Sequence, residues 1–162
     1  MNIRGVLIGG FVGTTVMTSI MRGAQAFGKT RVDVPLMLGL MITPDRDKAK
    51  LYGSAGHFAN GWVFAFLYGA VFQYFKKANW WLGMILGALH SALVLVVGLP
   101  MLPGVHPRMA TDARGPEPTV ELEPPGFMAI NYGRQTAIYT VIAHLIFGAI
   151  LGACYRIGLR DK

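Results

Sequence analysis

The chain has little charge, and acids are its scarcest charged groups. Only 14% of its 162 residues are charged, well below the quarter usual in soluble domains. Hydrophobic residues make up 53% and mean hydropathy is +0.45, which excludes an ordinary water-soluble fold. Eight Asp and Glu stand against fifteen Lys and Arg, and no acid falls inside a long apolar run. That absence argues against proton-coupled transport and against paired-carboxylate chemistry in a bilayer. A single cysteine, Cys154, excludes an internal disulfide. No HExxH, Walker loop or nucleophile elbow occurs, and "YGSAG" lacks the spacing of the last. The net charge of +7 is scattered between apolar runs and forms no stripe, so no nucleic acid is expected as a partner.

What the chain does have is apolar length. A helix needs about 20 residues to cross the hydrocarbon core, and residues 5–27, 54–75, 80–100 and 135–156 each supply such a run. The predicted fold class is all-α, a polytopic membrane protein of four transmembrane helices, with the lipid bilayer as its first partner. The first run follows Arg4 as a signal peptide would, but no small-residue cleavage site precedes a soluble domain, so it reads as a retained helix. With four spans, Arg4, Lys76, Lys77, Arg156, Arg160 and Lys162 share one side in short segments. The positive-inside rule then puts both termini in the cytoplasm.

Two long loops remain. Residues 28–53 contain "DVPLMLGLMITP", too short to span, which predicts a short helix lying in the interface, followed by "DRDKAK" as a mixed-charge turn. Residues 101–134 are rich in Pro, Gly and the acids Glu117, Glu121 and Glu123, a composition that predicts extended, water-facing chain.

The second and fourth runs repeat H-x-x-x-G followed by Tyr: His57, Gly61 and Tyr68 against His144, Gly148 and Tyr155. A fainter match pairs Gly9 and Gly13 with Gly83 and Gly87. These matches predict one helical hairpin used twice. Gly9 and Gly13, Gly83 and Gly87, and Gly148 and Gly152 fall at four-residue spacing, and Gly61 lies four residues from Ala65, which puts small residues on one stripe and permits close backbone approach between helices in lipid. The histidines share these inner faces, whereas Phe66 and Leu95 are expected to face lipid.

Three uses of the histidines follow. Neutral imidazoles can hydrogen-bond neighbouring backbone and fix helix register. Alternatively, His90 and His144, both near mid-membrane, are candidate axial ligands of a b-type haem. A weaker metal candidate is copper on the loop side, held by His57, His106, Met101 and Met109, with Met37 and Met41 nearby in sequence. The more economical expectation is no cofactor.

"GTTVMTSIM" in the first run, "VPLMLG" in the first loop and the two H-x-x-x-G spans resemble the bacterial inner-membrane proteins of the YagU type and their four-helix relatives. The resemblance covers most of the chain except the proline-rich loop, and implies a small multi-pass inner-membrane protein with no catalytic residues to carry over. The expected function is a non-catalytic accessory subunit stabilising a larger membrane complex, with other membrane subunits as partners. The alternatives are an electron-transfer subunit using His90 and His144, and a small oligomeric transporter.

Overall fold

A computed structural model describes residues 1–111 and 122–160 of the chain. Six α-helices carry the fold, and among the described residues the extended pairing is one isolated bridge, Met109 with Leu122. Helix α1 (Ile3–Ala26) starts at Asn2, whose side-chain oxygen accepts from the Gly5 N–H at 3.0 Å. The same side chain donates to the Tyr155 carbonyl at 2.7 Å, which ties the start of α1 to the far end of α6 (Thr136–Arg160). Glycines let these two helices meet. A Cβ at Gly9 would lie 2.7 Å from Leu151, and one at Gly13 would lie 2.8 Å from Phe147. Contacts climb α1 as they descend α6, so the pair is antiparallel.

The tightest seam lies on the other side of α6. Helix α4 (Trp80–Leu93) is capped by Asn79, which accepts from the Leu82 N–H at 2.7 Å. A Cβ on Gly83 would strike the Gly148 carbonyl, and one on Gly148 would strike the Gly83 carbonyl. Gly87 lies in the same way against the His144 carbonyl, and Gly152 against that of Asn79. Backbone touches backbone along three turns, again antiparallel.

Beyond Leu93 the helix is expected to end at residue 100, but it runs on. Pro100 has no N–H to return to the preceding turn. The backbone takes one π turn, Val94–Gly98, in which the Leu99 N–H reaches the Val94 carbonyl, and continues as α5 (Leu99–Val105). This turn also rotates Leu95 inward. Instead of facing lipid it is 2% exposed, in a cluster with Leu99, Met109 and Tyr132.

The first loop differs from expectation as well. Asp33 caps α2 (Val34–Ile42), with Pro35 in the first turn. Asp45 then accepts from the N–H groups of Asp47 and Lys48 and starts α3 (Arg46–Tyr74). The Lys48 hydrogen bond, first among several causes, holds the Asp45 carboxyl below its ordinary range. "DRDKAK" is therefore a capped helix start rather than a turn. Helix α2 docks on α3 so closely that a Cβ at Gly39 would collide with the Ala49 carbonyl, and one at Gly53 with that of Pro35. Further along, α3 runs antiparallel to α1, with Gly61 on Thr14, Ala65 near Gly10, and Gly69 on Val6.

The described flanks of the second long loop are built into the fold rather than extended in water. Met109 and Ala129 are fully buried. Ala110 donates to the Leu122 carbonyl at 3.0 Å, and Leu122 to that of Arg108 at 3.1 Å. A 3-10 turn, Phe127–Tyr132, closes the segment. Arg31 pairs with Glu123 at 3.0 Å, and the Tyr132 hydroxyl donates to the Glu123 carbonyl. Burial, and after it the Glu123 charge, pushes the Tyr132 phenol up to about 12. Glu117, Glu121, Asp161 and Lys162 lie outside the described residues.

Among the described residues three helical stretches are long and apolar enough to cross a membrane: Ile3–Ala26, Trp80–Val105 and Thr136–Arg156. Helix α3, expected as a further span, is diluted by His57, Asn60 and Gln73. Around these helices the outward side chains are apolar, among them Phe11, Leu89 and Ile138, as an integral membrane protein requires.

Candidate functional site

Three imidazoles from three helices line one cavity of about 260 Å³: His57 of α3, His90 of α4 and His144 of α6. Each is placed by a local rule. In α6 the residue four before His144 on the same face is Thr140, and His144 Nδ1–H donates to its carbonyl at 2.7 Å. A carbonyl only accepts, so the hydrogen-bond network assigns the proton to Nδ1 and leaves Nε2 with a lone pair.

His90 reaches across to α3. Its ring stacks on Phe64, centroids 3.7 Å apart and planes 22° from parallel. Its Nδ1 lies 3.3 Å from the Tyr68 hydroxyl. With the phenol donating, Nδ1 is the acceptor and His90 carries its own proton on Nε2. His90 and His144 meet edge to face, centroids 4.6 Å apart.

His57 has no such partner. It is only 8% exposed, and its Nδ1 is buried without a hydrogen bond, as is the Thr14 hydroxyl on the facing helix. The Nε2 atoms of all three imidazoles make no protein hydrogen bond and are not sealed from accessible space. Apolar side chains complete the inner wall, Met17, Met21, Phe64, Val94 and Leu99 among them. At one end Arg22, Gln25 and Asp33 form a polar rim that continues into a neighbouring cleft with Lys50 and Ser54. Asp33 is engaged as the α2 cap, and the Gln25 amide donates to the Val32 carbonyl. Arg22 lines the rim as well.

The haem expectation can be tested against this geometry. Imidazole nitrogens bind metal at about 2 Å, so two rings on opposite faces of one iron stand roughly 6 Å apart, centre to centre. At 4.6 Å the His90 and His144 rings leave no gap for a macrocycle, and as placed they do not fit one between them.

The loop-side copper set is dispersed. His106 is fully buried, Nε2–H donating to the Met37 carbonyl at 2.9 Å and Nδ1 accepting from the Arg108 N–H at 3.1 Å. Both ring nitrogens are thus committed to backbone. Met101 is 60% exposed, while Met109 is sealed in the second core. Among the described residues no group of three or more His, Cys, Asp or Glu is arranged to hold a metal.

The sequence groups His57 with the loop side and apart from His90 and His144, whereas the structure brings all three to one cavity. Sequence reasoning also missed Phe64, Thr140 and the Arg22 rim. The four-residue spacings Phe64 to Tyr68 and Thr140 to His144 carried part of the signal. No known family model matches the chain, and neither a curated protein nor a solved structure matches it either.

Proposed function

We propose that this chain is a four-span protein of a bacterial inner membrane that binds a small lipophilic molecule in the histidine-lined cavity, serving a larger membrane complex as a non-catalytic subunit. Helix α3 as the fourth span is supported by its partner and its surface. It runs beside α1 from Val6 to Thr14, and Val63, Phe66 and Leu67 point outward. The hairpins α1/α3 and α4/α6 are then the repeated unit. Cytoplasmic termini are supported by Arg4, Lys76, Lys77 and Arg156, at the end where Asn2 meets Tyr155. Exposed Trp80 and Trp81 at that end suit a membrane interface. Kinship with the YagU-type proteins belongs to the same proposal and adds no catalytic residue.

One observation carries the binding reading: two buried imidazoles, His57 and His144, and the half-buried His90 line one cavity, and no protein group hydrogen-bonds their Nε2 atoms. Imidazoles that only fix helix register would spend these nitrogens on neighbouring backbone, as His106 does. The Nε2 atoms open toward the cavity, so a bound molecule can supply the hydrogen bonds that no protein group makes. Native mass spectrometry of the chain released from its own membranes tests the reading. A bound molecule of lipid-like mass, lost in the cavity-filling variant Val94→Phe, is the expected result. A bare chain in every preparation overturns the binding reading, and a chain that co-migrates with no other protein after gentle extraction overturns the subunit reading.

A further inference from the structure

The polar atoms facing the cavity describe their ligand, and on the binding reading above we infer that it is a quinol, a dihydroxylated aromatic ring carried on an apolar tail. Size sets the first limit. A dry apolar cavity of about 150 Å³ accepts benzene, so 260 Å³ admits one substituted ring with the start of a tail.

Charge sets the second. Apart from the ionic Arg22 and Asp33 at the rim, the lining is mostly apolar, with the three imidazoles and the uncharged polar residues Thr18, Asn60 and Thr140. An ionic head group among the imidazoles would have no opposite charge to meet. An acyl tail there would set methylenes against three nitrogen atoms and leave their hydrogen-bonding capacity unused.

Hydrogen bonding decides the class. His144 Nε2 is an acceptor, because its Nδ1–H is held by Thr140. We assign His90 the tautomer in which Nδ1 accepts from the Tyr68 hydroxyl at 3.3 Å, which makes its Nε2–H a donor. These rings are neighbours at 4.6 Å, so a donor and an acceptor face the same small volume. A hydroxyl is the group that accepts from one and donates to the other; a carbonyl oxygen can only accept. His57 stands on the opposite helix with an orphaned Nδ1. A buried N–H without a partner is rarer than an idle lone pair, so the His57 proton sits on Nε2, toward the cavity. It supplies a donor for a second ring oxygen. Two oxygens on one flat ring, at least one bearing hydrogen, satisfy all three imidazoles.

The full chain, purified in detergent and stripped of lipid, is titrated with four probes, following thermal stabilisation: decylubiquinol under reductant, decylubiquinone, decylbenzene and dodecanoate. The quinol is expected to bind best, roughly fivefold more tightly than the quinone for the one extra hydrogen bond, and more than tenfold more tightly than decylbenzene. His144→Leu removes the acceptor and abolishes the preference of quinol over quinone. Val94→Phe fills the cavity and weakens all four. Decylbenzene or dodecanoate binding as well as the quinol, or quinone binding as well as quinol, overturns the ligand class while leaving the cavity reading intact. No binding by any probe overturns both. Should His144→Leu fail to fold, the ranking of the four probes on the unaltered chain decides.

Discussion

The two sides of α4 are built on opposite principles. Toward α6, Gly83 and Gly87 bring backbone against the Gly148 and His144 carbonyls with no space left. Toward α3, His90 stacks on Phe64 and reaches Tyr68, and the helices are held apart by rings with a cavity beneath them. In lipid, where no hydrophobic drive joins helices, close packing supplies the affinity on the glycine side. On the ring side the bundle is propped open. One face holds α4 in place so that the other can stay unfilled.

The largest test of that contrast is Gly83→Leu. The new side chain meets the Gly148 carbonyl, which belongs to the backbone of α6 and cannot turn aside. Overpacking of this kind costs about 3 kcal/mol. The unfolding midpoint in a denaturing-detergent titration should fall accordingly, and ligand binding should go with it because His90 and His144 ride on the two displaced helices. Gly56→Ala is the control. Open space surrounds that position, so the change raises stability by up to about 1 kcal/mol through helix propensity alone. Equal effects at the two sites would mean that the seam is not the source of stability.

A smaller effect, of opposite sign, is expected where α3 meets α1. The Thr14 hydroxyl is buried beside Gly61 with no partner. Thr14→Val keeps the shape and removes the orphaned oxygen, so the chain should gain stability by about 1 kcal/mol. His57→Leu belongs to the same class, but it should also weaken the ligand. A loss of stability in Thr14→Val would show that this hydroxyl has a partner and that the cavity side is packed for stability after all.

How legible this was in the sequence depends on range. Glycines at four-residue spacing announce a close approach, yet nothing in "GMILG" says that its partner is "HLIFG". The inward face of His144 followed from its own helix. The meeting of His57 with His90 and His144 did not, because the staggers of three helices against one another fix it. Local signals were also passed over. Asp45 before "RDKAK" is a helix cap, outweighed in the reading by the run of charge behind it, and Pro100 marks the π turn that swings Leu95 inward. The flanks of the proline-rich loop were read from composition alone. Their order comes from distant partners, Arg31 on Glu123 at 3.0 Å and His106 on the Met37 carbonyl.

The smallest effect belongs to the start of α3, which lies outside the contrast and sharpens it by showing what a purely local device does. The folded Asp45 carboxyl lies below the ordinary 3.8. Its contribution is therefore present above that value and is lost as pH falls through the lower folded value. Protonation releases the Asp47 and Lys48 N–H groups, and their hydrogen exchange, corrected for intrinsic rates, should become a few-fold more open than at neutral pH. Asp45→Ala should show the same opening at every pH, whereas Asp45→Asn, which still caps, should lose only the pH dependence. The opening should stop at Ala49, which is fully buried beneath Gly39 of α2. Spread of the exchange to Gly53 or beyond would mean that α2 and α3 separate as a unit, and that the hold of α2 on α3 rests on the Asp45 cap rather than on the glycine contacts.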